Sequence, residues 1–127
     1  MPLHIILVED DAGLRYVQGK VLENAGYVVH PFADYHGVME LLDQGAQANL
    51  LLVDIALTEG TPHGVAVAGM VRMRRPKIPV LFMTAYAQYV EHVWAAGKVL
   101  LKPVSSETLL EAVASCLEGE VEEPTSL

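Results

Sequence analysis

Hydrophobic residues fall into two patterns along this chain. Four runs are short and continuous, at residues 3–8, 50–53, 78–83 and 99–101, and a weaker one, 27–29, follows Gly26. Continuous rather than alternating runs predict strands covered on both faces, as in a parallel sheet. Between them the apolar positions step by three and four. Leu14, Val17, Val21 and Leu22 form one stripe, Val38, Leu41 and Leu42 a second, and Val65, Val67, Ala68 and Val71 a third. Val90, Val93 and Trp94 predict a fourth helix. Leu109, Leu110, Val113 and Leu117 predict a fifth, with Ser105 or Ser106 as its N-cap.

Five strand–helix repeats predict an α/β fold with right-handed crossovers and helices on both faces of the sheet. An eight-fold barrel needs a longer chain than 127 residues. The solution left is a five-stranded doubly wound parallel sheet of flavodoxin type, order 2-1-3-4-5, with five helices. The domain is expected over residues 1–118, followed by an acidic tail without regular structure at 119–127.

Composition fits one such unit. Hydrophobic residues make up 52% of the chain, enough to fill a core without disulfides or a structural metal. Cys116 is the one cysteine, which excludes an internal disulfide and any site built on several thiolates. It is read as an inert buried thiol. No apolar run approaches the roughly 18 residues of a membrane span, and the N-terminus has no basic signal-peptide start. A cytoplasmic protein with no membrane contact is therefore expected. Sixteen acidic against eight basic residues give a net charge of −8, which argues against nucleic acid as a partner. Glu118, Glu120, Glu122 and Glu123 belong to the last ten residues. The sharper question is whether any of the other twelve acids converge.

In open α/β sheets ligands bind beyond the carboxyl ends of the strands. The first run ends in Glu9, Asp10 and Asp11, the third in Asp54, the fourth in Thr84 and the fifth in Lys102 with Pro103. The second ends in His30 and Pro31, at an edge. In this topology the first and third strands are neighbours, so Glu9, Asp10 and Asp54 would lie together. Clustered carboxylates repel unless a cation neutralises them. An oxygen-only set on a shallow rim suits Mg²⁺, which keeps several waters and uses one or two carboxylates plus a phosphate. Lys102 adds a point charge and Thr84 a hydroxyl. Together they form a phosphoryl-binding constellation in which a carboxylate can itself be the nucleophile.

These residues resemble the receiver domain of two-component response regulators, over about residues 3–118. The motifs are Ile-Ile-Leu-Val-Glu-Asp-Asp at 5–11, Leu-Leu-Leu-Val-Asp at 50–54, Val-Leu-Phe-Met-Thr-Ala at 80–85 and Leu-Leu-Lys-Pro at 100–103. The resemblance implies that Asp54 accepts a phosphoryl group from a histidine kinase or histidine phosphotransfer protein. It implies that Asp10 ligates Mg²⁺ directly, that Glu9 acts on it through water, and that the Ala56 carbonyl completes the metal set. Thr84 and Lys102 would contact phosphoryl oxygens, Ala85 would leave them accessible, and the Lys102–Pro103 bond would be cis. Signalling to a downstream protein target would then pass by protein–protein contact. Ala56 and Tyr86, which flank the phosphoryl position, imply slow self-dephosphorylation.

The chain departs from the family pattern at several points. Thr58 stands where a proline is usual, and Gly64 comes ten rather than eight residues after Asp54. Val99 occupies the place of an aromatic switch residue, and the segment before Lys102 is about two residues short. Two other readings stay open. One is a phosphorylation-independent adaptor with the same fold. The other is an aspartate-nucleophile phosphatase, although Glu9-Asp10-Asp11 lacks its Asp-x-Asp pattern. Tyr86, Tyr89, Val90, Val93 and Trp94 form either a packed helix stripe or an aromatic patch for a partner or homodimer. Arg72, Arg74, Arg75 and Lys77 are read as a solvated helix C-terminus. The five histidines show no metal-ligand spacing.

Overall fold

The computed structural model describes residues 1–55, 63–87 and 97–119. Five strands, β1 (His4–Val8), β2 (Val28–Phe32), β3 (Leu50–Asp54), β4 (Val80–Thr84) and β5 (Lys98–Leu101), pair in parallel in the order β2-β1-β3-β4-β5. The described helices are α1 (Ala12–Asn24), α2 (Tyr35–Asp43), α3 (Gly64–Arg74) and α4 (Ser106–Leu117). The expected helix around Val90, Val93 and Trp94 lies outside the described residues, as does the expected tail from residue 120.

Alternate residues of each strand enter opposite cores, because side chains alternate across a pleated sheet. Ile6, Val8, Leu51, Val53 and Phe82 pack with Val38 and Leu42 of α2 and Val67 and Val71 of α3. Ile5, Leu7, Leu52, Leu81 and Met83 pack on the other side with Leu22 of α1 and Leu109 and Val113 of α4. Every residue of β3 and β4 is buried, which explains why their sequence runs are continuous.

Three local expectations change. The weak run at 27–29 becomes a strand that passes through His30 and Pro31 to Phe32. Pro31 is tolerated because β2 is an edge strand and one of its sides needs no donor. β4 begins two residues after its apolar run, at Val80, although Ile78 is still buried. The third change is in α1. Its expected stripe had Leu14 and Val17 inward, but these are 36% and 58% exposed. The buried residues are Gln18, Gly19 and Leu22. With Arg15 they make an i, i+3, i+4, i+7 face, so the inward stripe of α1 is half polar and gave no hydrophobic signal.

Side chains start each helix. Asp11 accepts from the Leu14 N–H at 2.9 Å, and Ser105 from the Thr108 N–H at 3.1 Å, which decides the cap of α4 in favour of Ser105. Asp34 and His63 cap α2 and α3. The basic cluster at the end of α3 is more engaged than a solvated end. Arg74 pairs with Asp43 at 2.7 Å, and Arg75 donates to the carbonyls of Ala46 and Leu42 at 2.8 and 3.2 Å. These bonds tie the end of α3 to the end of α2.

Candidate functional site

The site forms where the strand order reverses. β1 is the first strand and lies between β2 and β3, so helices leave its two sides on opposite faces and a crevice opens at its carboxyl end. Val8 pairs with Val53, which sets Glu9 and Asp54, each one residue further on, side by side. Asp54 pairs with Met83 and Thr84 with Leu101, so the ends of four strands are level. The Lys102 N–H continues the last ladder by donating to the Thr84 carbonyl at 2.7 Å.

Glu9, Asp10 and Asp54 each bring a carboxylate oxygen within 4.8 Å of the others. Glu9 and Asp54 are buried and Asp10 half-buried. The Lys102 ammonium lies 2.7 Å from Asp54 Oδ2 and 2.8 Å from Glu9 Oε1, bridging the two. Glu9 Oε2 accepts from the Asp11 N–H at 3.2 Å, so both oxygens of Glu9 are engaged inside the protein. Burial pushes the Glu9 carboxyl up, with the Asp54 charge adding to it, against the opposing pull of Lys102 and the Asp11 N–H. Burial also works against the Lys102 charge, but its bonds to Asp54 and Glu9 outweigh it and hold its pKa above the usual lysine value.

Thr84 is fully buried at the end of β4, and its hydroxyl oxygen accepts from the Tyr86 N–H at 3.1 Å. Four of the expected residues, Glu9, Asp10, Asp54 and Lys102, therefore gather in one pocket, and Thr84 closes the adjoining strand end. Ala56 lies outside the described residues. The Lys102–Pro103 bond is cis, as the resemblance implies. Val99 is half-buried against the core that contains Phe82.

Gly64 was singled out only for its spacing, and the structure gives it a physical role. A side chain on Gly64 would strike the backbone of Asp54 and Ile55, and its N–H donates to the Ile55 carbonyl at 2.8 Å. Arg15 was missed altogether. Its guanidinium donates to the Glu9 carbonyl at 2.7 Å and reaches the Asp10 carbonyl at 3.5 Å. Its position one turn beyond the Asp11 cap was the available signal. Also unforeseen, the ring nitrogens His4 Nδ1 and His30 Nε2 lie 3.0 Å apart near the other end of the sheet.

Fold and site together define a doubly wound α/β protein with a lysine-bridged carboxylate pocket at its topological switch point. The chain belongs to the response regulator receiver domain family, which it matches over residues 5–114. It is thus a receiver domain of two-component signalling systems. It is 31% identical over 117 residues to the response regulator receiver protein CpdR of Brucella abortus, covering 89% of this chain and 95% of that protein. It is 27% identical to the transcriptional regulatory protein GlrR of Escherichia coli across 92% of its own length. Its length corresponds to only 27% of GlrR. Among solved structures, it is similar to a CheY-like receiver domain protein from Methanospirillum hungatei. The TM-score is 0.82 at 25% identity, covering 94% of this chain and 97% of that one.

Proposed function

We propose that this receiver accepts a phosphoryl group on Asp54 in a Mg²⁺-dependent reaction and passes the signal on by protein–protein contact. The observation that carries the reading is the pocket itself, with Asp54 at the end of a fully buried strand, flanked by two further acids and bridged by Lys102. An anionic carboxylate oxygen needs no general base to attack phosphorus. The new bond is Asp54 O–P. The bond that breaks is P–N of a phosphohistidine, or P–O of a small acyl phosphate, and the leaving group departs with the bonding pair. Lys102 would neutralise charge on the transferring group, and the Thr84 hydroxyl would donate to it.

The donor set fits Mg²⁺, since it offers hard oxygens only, in a pocket with one lysine charge against three carboxylates. Asp10 and Asp54 would hold the ion directly with the Ala56 carbonyl. Glu9, whose oxygens are taken by Lys102 and Asp11, would act through water. When bound, Mg²⁺ offsets the charge of the acids and of the incoming phosphoryl. The phosphodonor is a histidine kinase or histidine phosphotransfer protein. One relative is the sensor kinase CckA of Brucella abortus, 27% identical over 121 residues. No described helix is long and apolar enough to cross a membrane, and a cytoplasmic site of action is part of the proposal.

Intact mass after treatment with acetyl phosphate and Mg²⁺ tests the reading. The wild type should gain one phosphoryl and Asp54→Asn none. Equal labelling of both would remove Asp54 as the acceptor. Val99 favours a second reading, a receiver-fold adaptor whose output does not depend on phosphorylation. Partner binding that is the same for wild type and Asp54→Asn, with or without phosphodonor, would select it.

A further inference from the structure

We propose that Arg15 is a positioning residue for the acidic pocket, acting through the backbone of the loop that presents Glu9 and Asp10. The proposal rests on reading that pocket as a Mg²⁺ and phosphoryl site. Residues 9–11 lie between β1 and α1 and belong to neither, so no ladder or helix fixes all of their backbone groups. The Glu9 N–H is held by the Phe32 carbonyl at 3.0 Å, and Asp11 caps α1. Arg15 adds a hold on the carbonyl side of the same loop. Its Nη1 makes a 2.7 Å charge-assisted bond to the Glu9 carbonyl and reaches the Asp10 carbonyl at 3.5 Å.

The peptide joining Glu9 to Asp10 carries the first of these carbonyls. Rotating that plane would swing the two carboxylates relative to each other, and the Arg15 bond opposes that rotation. The placement explains the phase of α1 as well. Arg15 heads the same inward face as Gln18, Gly19 and Leu22, so the packing of α1 on the sheet sets where the guanidinium lies. Partners that orient ligands in this way commonly govern metal affinity by 10-fold or more.

Charge alone predicts the opposite. A cation next to three acids repels Mg²⁺, so removing it should tighten binding. Two variants separate the effects, because Arg15→Gln removes the charge and Arg15→Lys keeps it with a shorter, single-pointed donor. Mg²⁺ alone is titrated into each variant of the 127-residue chain and into the wild type, and read by amide NMR shifts of residues 9–11. Acetyl phosphate uptake is then followed across Mg²⁺ concentrations.

We expect Arg15→Gln to weaken Mg²⁺ binding on the order of 10-fold and Arg15→Lys to weaken it less. The half-saturating Mg²⁺ for phosphorylation should rise in parallel, while the rate at saturating Mg²⁺ stays close to wild type. Wild-type affinity or tighter binding in Arg15→Gln would overturn the role of Arg15. Absence of Mg²⁺ binding in the wild type would instead overturn the underlying reading of the pocket.

Discussion

The ammonium of Lys102 lies 2.7 Å from Oδ2 of Asp54, across 48 residues of sequence. The bond joins the turn after β5 to the end of β3, two strands with β4 between them. The same ammonium meets Glu9 beyond β1, so one side chain spans the rim from the fifth strand to the first. Among the described residues it is a cation shared by two buried carboxylates.

Replacing Lys102 with Met should therefore leave those acids facing each other without its charge. Removing one partner of a buried ion pair typically costs about 3 kcal/mol or more. We expect a loss of that order in the unfolding free energy from urea denaturation without divalent ions. Mg²⁺ should restore more stability to Lys102→Met than it adds to wild type, since it offsets the same charges. An equal Mg²⁺ increment in both proteins would show that lysine and metal do not serve the same acids.

Gly64 makes a second, steric demand. A Cβ there would stand 2.7 Å from the Ile55 Cα, with the Asp54 carbonyl also in its way, and these backbone atoms have little freedom to move. Gly64→Ala should destabilise by about 1–3 kcal/mol through displacement of the β3 end. Because the displaced segment carries Asp54, phosphoryl uptake should slow even in the fraction that is folded. Unaltered stability would mean that Asp54 and Ile55 make room for the methyl group at no cost.

Much of this fold was legible because its three central strands are continuous and buried, and the strand order follows once five strand–helix units are recognised. The pocket was legible for a related reason. Glu9, Asp54, Thr84 and Lys102 each interrupt an apolar run, so polarity marks the strand ends directly. What escaped was polar structure on faces expected to be apolar. Arg15 and Gln18 occupy the inward side of α1, which shifted its predicted stripe onto the exposed Leu14 and Val17. Pro31 suggested an end to β2, whereas an edge strand accommodates it. The His4–His30 contact depends on the pairing of two strands, which no spacing within one segment encodes.

Gln18 is 8% exposed, and among the described residues its amide donates only to the Met83 sulfur at 3.5 Å and its carbonyl oxygen has no hydrogen-bond partner. A thioether is a weak acceptor, and a buried unmet carbonyl costs about 1–3 kcal/mol. Gln18→Met keeps the length of the side chain and removes both polar ends. We expect it to raise the unfolding free energy by about 1 kcal/mol, shifting the denaturant midpoint with an unchanged slope. A decrease would indicate that the amide is worth more where it stands than its contacts suggest.

His30 gives the chain a pH dependence away from the acidic pocket. Burial first, and then the charge of His4, hold its pKa below the ordinary value of 6.5. The two ring nitrogens stand 3.0 Å apart, close enough for an N–H to N bond that requires at least one neutral acceptor. The folded state therefore binds its proton less readily than the unfolded chain, and stability rises with pH over this range. The contribution is complete above the unfolded value near 6.5 and fades as the pH falls below it, until the folded group also takes its proton. Unfolding free energies at about pH 7.5 and about pH 5.5 isolate it, because His30→Gln removes the group while the carboxylates still titrate. Wild type should lose more stability between those two conditions than His30→Gln. An equal loss in both would mean that His30 carries no proton linkage to folding and that the contact with His4 does not depend on its charge state.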